Sequence, residues 1–407
     1  MNIVIASGIF PPDIGGPANF VPRIAQWLMQ RGHRVQVVCW SDQLDHDDRC
    51  YGFQVHRISR RQLLAVRFCQ TVHRLYQLGK SADIFFANTL DLEVRLAATL
   101  ARKPEVHKVV GDRAWEVARR RGWFTGTIDD YQQAEGKGLK NWRIRALNAL
   151  RNFSLARSSA RGAMPSHCII TPSHYLARIV RHWLHQSADI PARIDVIYNS
   201  TQLTPSTTPI EIPAYLGPTV TTICRLVPWK GVDTLIEAIA QLPEIQLLVV
   251  GDGPDRAALE QQVSQQALGD RVHFLGQVPK SQIHSILNAS DVFVLNSTYE
   301  GLPHVVLESM AAKVPVIATD VGGTGEVVKN NQTGLLIPAH DNTALIAALT
   351  QLLRSTEQRK QLTANAHALI AAQFSEERCF MDYEKTLATL SAHSQAPSTA
   401  LPTSAEP

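Results

Sequence analysis

The chain has 407 residues, of which 45% are hydrophobic and 19% are charged. This length exceeds one ordinary hydrophobic core and predicts two domains, and the composition excludes a disordered chain. The formal net charge of +4 is too small to indicate a partner by itself.

The amino terminus has no basic leader and no small-residue cleavage site, so we expect a first β-strand there rather than a signal peptide. No apolar run reaches the roughly 18 residues that span a bilayer. The six cysteines show no Cys-x-x-Cys spacing, which predicts reduced thiols rather than a disulfide framework or a zinc site. These features predict a cytoplasmic protein.

Short apolar runs alternate with amphipathic helical stretches along most of the chain, which is the βαβ pattern of parallel sheets covered by helices. Helices are expected from about Pro17 to Arg31 and from about Arg61 to Leu78. Near-continuous apolar runs predict strands that are buried on both faces. In the first half of the chain they lie at residues 2–7, 34–40, 83–88, 107–112, 167–173 and 195–199.

The alternation breaks at residues 201–217, where Thr and Pro are frequent and no helical period is present. Six further strand-like runs follow: TVTTICRL, IQLLVVG, VHFLG, DVFVLN, VPVIATD and GLLIP. We therefore expect an α/β protein with two doubly wound parallel sheets. Its predicted segments are a first domain (1–200), a linker (201–217), a second domain (218–373), a last helix (374–391) and a disordered tail (392–407).

In open parallel sheets, ligands bind beyond the carboxyl ends of the strands, and the strongest signal in such a loop is YEGLPHVVLE at 299–308. Gly301 allows a tight turn, and Pro303 suits the first turn of a helix whose free amides form an anion site. Glu300 and Glu308 could both face the cleft and accept hydrogen bonds from vicinal hydroxyls. Alternatively, Glu300 caps the helix and Glu308 lies on a solvated face.

Three other loops follow predicted strands. In RLVPWKG, Arg225 and Lys230 could meet the two phosphates of a diphosphate through charge-assisted hydrogen bonds of about 1.5–3 kcal/mol each. In FPPDIGG, Gly15 and Gly16 let the backbone approach a phosphate or sugar closely, whereas a GxGxxG dinucleotide motif is not present. The turn around Gly253 is a weaker signal. The alternatives are a surface ion pair for the cations and plain turns for the glycines.

Together these strings resemble the family 4 glycosyltransferases, which have the GT-B fold of two Rossmann-like domains facing across a cleft. The resemblance covers nearly the whole chain. Its most specific element is the Glu-x7-Glu spacing from Glu300 to Glu308, and the string VIYN at 196–199 also matches. The resemblance implies a retaining hexosyltransferase that needs no metal and no cofactor and uses a UDP- or GDP-linked sugar.

The resemblance also implies roles for individual residues. Arg225 and Lys230 would hold the diphosphate, Glu308 would bind the ribose hydroxyls, and Glu300 would contact the donor sugar or its phosphate. The last helix would return to the first domain. The remaining substrate contacts would come from Gly15, Gly16, Gly253, Leu302, Pro303, His304 and Val305.

Many family members place a histidine in the first domain, after a strand near the reacting sugar. The matching stretch here is KVVGDRAWE, with Gly111 and Asp112. Asp112 could orient the acceptor hydroxyl or contact the donor sugar, or it could be a structural turn residue. A front-side mechanism, in which the leaving phosphate helps to take the acceptor proton, fits a site without a general base.

The segment 136–161 is basic and carries Trp and Phe at helical spacing, so it predicts a peripheral contact with an anionic membrane surface. Its basic residues are Lys137, Lys140, Arg143, Arg145, Arg151, Arg157 and Arg161. The alternative is a helix whose apolar side packs on the first domain. Its aromatic residues form no repeated stacking platform, which argues against nucleic acid as a partner. Metal binding by the Asp-x-Asp string at 45–47 is also not expected.

The expected partners are therefore a nucleotide-sugar donor and a glycan or lipid-linked acceptor. The second hypothesis is a nucleotide-sugar-binding module without catalysis, and the combined presence of Arg225, Lys230, Glu300 and Glu308 argues against it. The donor base, the sugar and the acceptor depend on loop side chains that one sequence cannot rank.

Overall fold

The computed structural model describes residues 1–13, 15–136, 141–155, 167–185, 193–202 and 210–395. Within these residues the chain forms two parallel β-sheets, one of seven strands and one of six, each covered by helices.

The first sheet has the spatial order β3-β2-β1-β4-β5-β6-β7. Its strands are β1 (Asn2–Ser7), β2 (Arg34–Ser41), β3 (Gln54–Ser59), β4 (Ile84–Ala87), β5 (Glu105–Lys108), β6 (His167–Thr171) and β7 (Arg193–Val196). The helices between them are α1 (Gly16–Gln30), α2 (Leu64–Gly79), α3 (Asp91–Ala101), α4 (Arg113–Arg120), α5 (Ile128–Gly136), α6 (Trp142–Leu155) and α7 (His174–His185).

The second sheet has the order β10-β9-β8-β11-β12-β13. Its strands are β8 (Thr219–Ile223), β9 (Gln246–Val250), β10 (Val272–Gly276), β11 (Val292–Leu295), β12 (Val316–Thr319) and β13 (Leu335–Ile337). Its helices are α8 (Val232–Ala240), α9 (Arg256–Gln265), α10 (Lys280–Asn288), α11 (His304–Ala311), α12 (Thr324–Val327), α13 (Asn342–Arg354) and α14 (Thr356–Gln373), and α15 (Glu376–Gln395) follows.

Both faces of the central strands are buried, as their apolar runs predict. Along β1, Ile3 and Ile5 pack into one hydrophobic cluster, while Val4 and Ala6 pack into another on the opposite face. Side chains alternate across a strand, so only a nearly continuous apolar run can fill both layers.

The strands predicted in the second half all occur, whereas the first half differs at three places, one of which is β7, at Arg193–Val196 instead of 195–199. β3 was not predicted, because its sequence QVHRIS mixes polar and apolar residues at the edge of the sheet. β5 begins and ends earlier than predicted, so Gly111 and Asp112 lie in the loop after it. The last helix continues to Gln395, four residues into the predicted tail, and 396–407 lie outside the described residues.

In each sheet the strand order reverses between two central strands, which are β1 and β4 in the first and β8 and β11 in the second. A crevice forms at the carboxyl ends of such strands because their connections leave in opposite directions. The loops containing RLVPWKG and YEGLP follow β8 and β11, so the two strongest sequence signals flank one crevice.

The chain passes between the two sheets at two adjacent places. The backbone N–H of Thr201 donates to the carbonyl oxygen of Phe374 at 3.1 Å, and Thr201 also forms a β-bridge with Ser375. α15 then packs on the first sheet, where Phe380 and Tyr383 join the cluster of Ile3 and Ile5. The last helix therefore fastens the second half of the chain to the first.

A second contact joins the carboxyl edges of the two sheets. The Glu326 carboxylate, on the short helix α12 that follows β12, accepts hydrogen bonds from the backbone N–H groups of His174 at 2.9 Å and Tyr175 at 2.8 Å. These are the first amides of α7, where a negative charge also complements the helix dipole. One domain thus caps a helix of the other.

We predict that Phe380→Ala destabilises the protein by about 3–5 kcal/mol, because it leaves a cavity where α15 meets the first sheet. Phe380 is 2% exposed, and its ring lies 5.9 Å from the ring centres of both Phe20 and Trp27. Urea unfolding would measure the change. The control is Met381→Ala, because Met381 is 45% exposed and should shift stability by at most about 0.5 kcal/mol. Equal effects of the two substitutions would contradict the packing described.

We predict that Glu326→Ala loosens the contact between the domains, because two helix-terminal amides lose their acceptor at a cost of about 0.5–2 kcal/mol. The radius of gyration from small-angle X-ray scattering should increase and the melting temperature should fall. Glu357→Ala, which removes an exposed acidic residue from the first turn of α14, should change neither. An unchanged radius of gyration in Glu326→Ala would argue against an interdomain cap.

Candidate active site

The loops after β8 and β11 are held together by hydrogen bonds and by a close backbone approach. Asn296 Nδ2 donates to the Gly231 carbonyl oxygen at 3.0 Å, and the Thr298 N–H donates to the Trp229 carbonyl oxygen at 2.8 Å. Gly231 has a φ of 60°, and a Cβ on it would lie 2.2 Å from the Asn296 carbonyl oxygen. Only glycine fits there, which explains the glycine that ends RLVPWKG.

This approach brings Lys230 and Glu300 into contact inside the crevice. Lys230 Nζ lies 2.5 Å from Glu300 Oε1, which also accepts a hydrogen bond from Ser297 Oγ at 2.6 Å. Burial opposes the charge of Lys230, but the adjacent Glu300 carboxylate outweighs it and raises the pKa of Lys230. Lys230 therefore keeps its positive charge in the crevice, where it forms an ion pair with Glu300 of the Glu-x7-Glu loop.

Arg225 lies on the same loop as Lys230 but makes no ion pair with the described residues. Its side chain is exposed beyond the end of β8. Gly253, in the neighbouring turn after β9, packs so closely that a Cβ would lie 2.1 Å from the Leu226 carbonyl oxygen. Gly253 thus packs against the loop that carries Arg225 and Lys230. Such packing is what the alternative of a plain turn predicts.

α11 begins at the residues for which an anion site is predicted. Pro303 is its N-cap, and no side chain caps the amides of the first turn. Leu302 is buried, and its carbonyl oxygen accepts a hydrogen bond from Asn199 Nδ2 at 3.0 Å, so the matched string VIYN fixes this loop from the first domain. The amides of His304 and Val305 consequently stand at the positive end of a fixed helix.

Glu308 lies on α11, on the turn after His304, and its carboxylate is partly buried. Its Oε1 lies 3.4 Å from Lys280 Nζ. The alternative that Glu308 lies on a fully solvated face therefore does not describe the structure. Glu300 lies before the first turn of α11 and Glu308 beyond it, on either side of the predicted anion site.

Two cations of the first domain, Lys108 and Arg23, approach this region and were not among the predicted site residues. Lys108 ends β5 and is 7% exposed, with its Nζ 3.3 Å from the centre of the Phe20 ring, and burial lowers its pKa to about 8. Enclosure in the cleft and the charges of Lys108, Lys280 and Arg23 lower the pKa of His304 to about 3. The signal in the sequence was a lysine that ends an otherwise buried strand.

The predicted glycine pair lies at the start of α1, after β1. Gly15 is the N-cap with a φ of 155°, and a Cβ on it would lie 2.7 Å from Ile9 Cδ1. Gly16 is exposed, and apart from its chain neighbours and its own helix no atom of the described residues lies within 4 Å of the position that its Cβ would take. Both glycines belong to the carboxyl edge of the first sheet.

Asp112 has the structural role that the sequence left open beside a catalytic one. It is fully buried, and its Oδ1 accepts hydrogen bonds from the backbone N–H groups of Ala114 and Trp115, as the N-cap of α4. Its Oδ2 accepts from Gln132 Nε2 at 3.1 Å and Arg151 Nη1 at 2.9 Å. Both oxygens are occupied by the protein, so we correct its assignment from the reacting site to the helix cap.

Glu116, one turn further along the quoted string GDRAWE, is the carboxylate that faces the cleft. Part of its side chain reaches solvent, while desolvation by the surrounding protein and the charge of Asp112 raise the pKa of its carboxyl group. A Cβ on Gly111 would lie 3.0 Å from Glu116 Oε1 and 3.4 Å from the Tyr299 hydroxyl oxygen. The glycine therefore makes room for two polar side chains from opposite domains. The sequence signal was a Trp-Glu pair in the first turn after a strand.

Aromatic side chains close the cleft beside this carboxylate. Trp115 of the first domain lies 4.8 Å from the ring centre of Tyr299 and 5.9 Å from that of Trp229, which both belong to the second domain. The Tyr299 hydroxyl is buried and makes no hydrogen bond within the described residues. The carboxyl edges of the two sheets therefore meet through side chains as well as through Glu326.

The helix α6 packs Ile144 and Leu155 into a hydrophobic cluster of the first domain, as the alternative predicts, and exposes a further apolar stripe. Trp142 is 65% exposed, Leu150 is 49% exposed and Phe153 is 58% exposed. Arg143 and Arg145 are exposed on the same helix, whereas Arg151 is withdrawn into its pairs with Asp112 and Glu135. The predicted basic residues Lys137, Lys140, Arg157 and Arg161 lie outside the described residues.

Among the described residues, we find no helix with both the length and the apolar character needed to cross a membrane. The Asp-x-Asp string is engaged in surface pairs, since Asp47 contacts Arg49 at 2.8 Å. It is not part of any group of potential metal ligands within the described part of the chain.

Comparisons with known proteins place this site in a family. A model described as "Glycosyl transferase 4-like domain" matches residues 15–200, and a model described as "Glycosyl transferases group 1" matches residues 217–368. A curated relative, "Lipopolysaccharide core biosynthesis glycosyltransferase LpsE" of Rhizobium meliloti (strain 1021), is 33% identical over 173 residues, which are 42% of this chain and 50% of the relative. The chain spans half or less of the length of the first curated relatives that it matches.

Two solved structures resemble the whole chain. Sucrose-phosphate synthase from Thermosynechococcus elongatus has a TM-score of 0.76 at 22% identity, covering 96% of this chain and 99% of that one. HepE of Anabaena in complex with UDP-glucose has a TM-score of 0.70 at 21% identity, covering 96% of this chain and 100% of that one. At these identities the likeness shows the fold, and it confirms the predicted fold class. The chain belongs to the group 1 glycosyltransferases of family 4, with the GT-B fold.

Proposed function

We propose that the chain is a retaining hexosyltransferase that transfers a sugar from a nucleotide-diphosphate donor to a lipid-linked or polysaccharide acceptor, without a metal ion. The observation that carries this proposal is the contact between Lys230 and Glu300 beside the uncapped start of α11. A cation, free amides and a carboxylate then converge on one crevice, which suits a phosphorylated sugar.

In the proposed complex, the diphosphate lies against the amides of His304 and Val305, with Lys230 and the unpaired Arg225 on its other side. Glu308 accepts hydrogen bonds from the ribose hydroxyls, and Glu300 accepts them from the donor sugar. Charge-assisted hydrogen bonds to phosphate are the strongest of these contacts, and Arg225 can bind two oxygens at once. Supporting this donor class, the related HepE structure contains UDP-glucose.

The transfer breaks the bond between the anomeric carbon and the phosphate oxygen, and the electron pair leaves with the nucleoside diphosphate. The acceptor oxygen bonds to the same face of that carbon, and its proton passes to the departing phosphate. Lys230 and the α11 amides stabilise the charge that grows on the phosphate, which is where preorganised donors accelerate a reaction most. The configuration at the anomeric carbon is retained.

We propose Glu116, rather than the fully occupied Asp112, as the carboxylate that orients the acceptor hydroxyl. It faces the cleft, and Lys230 is close enough to influence its pKa. Gly16 is exposed on the same side of the cleft. The LpsE relative is named for lipopolysaccharide core biosynthesis, which supports an acceptor that is a glycan attached to a lipid.

We also propose that α6 brings the enzyme to such acceptors by resting on an anionic membrane at its cytoplasmic face. The exposed Trp142, Leu150 and Phe153 form one stripe, flanked by Arg143 and Arg145. Apolar residues that enter the headgroup region beside basic ones are typical of helices that lie on a membrane surface.

We predict that Lys230→Ala lowers turnover by about 10²–10³-fold, because the leaving diphosphate loses a fixed cation. A thermal-shift screen with UDP, GDP and ADP sugars would first identify the donor, and nucleoside diphosphate release would then measure turnover. The control is Lys360→Ala, since Lys360 is exposed on α14 and should leave turnover unchanged.

Full turnover in a folded Lys230→Ala protein would contradict the proposed site. Donor binding by the wild type without turnover on any lipid-linked or polysaccharide acceptor would instead support the binding-module hypothesis.

We predict that the double variant Trp142→Ala, Phe153→Ala binds vesicles containing phosphatidylglycerol at least roughly tenfold more weakly than the wild type. The reason is that the variant lacks the two aromatic rings that would enter the headgroup region. Vesicle co-sedimentation would measure the binding. The matched control is Leu63→Ala, Leu64→Ala, which removes two side chains that are 79% and 72% exposed elsewhere on the first domain. Equal losses in both double variants, or no loss in the first, would reject α6 as the membrane contact.

A further inference from the structure

Three buried side chains form a cluster on the first sheet, away from the cleft. Glu105 and His107 lie two residues apart on β5 and therefore share a face of the sheet. His167, at the start of β6, is the register partner of Glu105. Glu105 and His107 are 0% exposed and His167 is 3% exposed. Glu105 is the first residue of β5, whereas the proposed transfer takes place beyond the carboxyl ends of the strands.

The spacing within the cluster is that of ligands around a metal ion. His107 Nε2 lies 3.5 Å from Glu105 Oε2, and His167 Nδ1 lies 3.5 Å from Glu105 Oε1. One ligand atom from each of the three residues lies within 4.8 Å of the others. Ligand atoms about 2.0–2.2 Å from a tetrahedral Zn²⁺ ion are about 3.4 Å from one another.

Four polar atoms of this cluster have no hydrogen-bond partner among the described residues. They are Glu105 Oε2, His107 Nε2 and both ring nitrogens of His167. Native proteins pair nearly all their buried polar atoms, so several orphans at one place indicate a missing partner. A cation that accepts lone pairs from all three side chains would be that partner.

The neighbouring helix α3 orients two of these side chains as a second layer of a metal site would. Asp91 Oδ1 lies 2.9 Å from His107 Nδ1, so a proton on Nδ1 leaves the lone pair on Nε2, facing the cluster. Arg95 Nη1 donates to Glu105 Oε1 at 2.8 Å, which leaves Oε2 as the free oxygen. Each outer contact therefore holds an inner ligand in the required orientation.

We propose that Glu105, His107 and His167 bind one divalent transition-metal ion of the zinc class, which joins β5, β6 and α3. Two imidazoles and one carboxylate favour zinc and its neighbours over magnesium or calcium, and a water molecule would complete four-coordination. The ion is structural, so the transfer reaction does not pass through it. Within the described residues, this is the one group of His, Cys, Asp and Glu side chains with such spacing.

A proton on His107 is the competing explanation. It would let His107 pair with both Asp91 and Glu105, but it would leave the two ring nitrogens of His167 without partners. The metal would bind one atom of each of the three side chains, whereas the proton on His107 explains the contacts of His107 with Asp91 and Glu105 and does not involve His167. The two explanations differ in metal content and in the response of stability to added metal.

The test is to unfold the full chain in guanidinium with a chelator, and to refold it with Zn²⁺, with Mg²⁺ or with the chelator alone. The expected result is one equivalent of bound zinc by mass spectrometry and a melting temperature higher by about 5 °C with Zn²⁺ only. No stoichiometric zinc, or equal melting temperatures in all three samples, would overturn the proposal and favour the protonated His107.

Two matched variants locate the ion. His167→Gln should weaken zinc binding at least about 100-fold, since it removes a direct ligand. His56→Gln should retain the ion, although His56 lies in the same sheet, on β3, and its Nε2 is also without a partner. Retention of zinc by His167→Gln, or equal loss in both variants, would overturn the assignment.

A measurement on the wild type keeps the proposal testable if the variants fail to fold. With Co²⁺ in place of Zn²⁺, the expected absorption spectrum has the ligand-field bands of a four- or five-coordinate ion and no thiolate charge-transfer band. Cys168 follows His167 in the sequence, but it packs into the cluster on the opposite face of the sheet. A thiolate band, or the weak spectrum of octahedral cobalt, would place the ion elsewhere and overturn the proposal.

Discussion

The contact between Lys230 and Glu300 is the interaction on which the arrangement of the cleft depends. It joins the loops after β8 and β11, the two strands between which the order of the second sheet reverses. These loops meet at Gly231, where a Cβ would lie 2.2 Å from the Asn296 carbonyl oxygen, and Gly322 of the loop after β12 approaches Glu300 as closely. The glycines thus allow Lys230 and Glu300 to lie side by side at the start of α11.

Each domain supplies hydrogen-bonding side chains to backbone groups of the other domain. Glu326 of the second domain caps a helix of the first, and Asn199 of the first fixes the loop that precedes α11. Trp115 packs against Tyr299 and Trp229 between them. These contacts lie at the carboxyl edges of both sheets, so the domain contacts and the proposed donor site share the same loops.

The strand β5 connects two kinds of chemistry. On one face of the strand, Glu105 and His107 face His167 in the proposed metal site, which would join β5 to β6. At its carboxyl end, Lys108 enters the cleft, and the loop beyond it carries the helix cap of Asp112. Both faces of β5 are buried, and polar side chains are stable in such a place only when they have partners.

The sequence determined the class of fold, because near-continuous apolar runs alternating with helical periods suit two doubly wound sheets. It also determined the turn that carries Glu300 and the helix that carries Glu308, since glycine followed by proline at that spacing predicts a tight turn before a helix. Only the tertiary structure showed that Asp112 caps a helix with both carboxylate oxygens occupied, whereas Glu116 after the same strand lies beside Gly111 and Tyr299. Burial, partners and the facing domain are long-range properties, and neither residue type nor spacing encodes them locally.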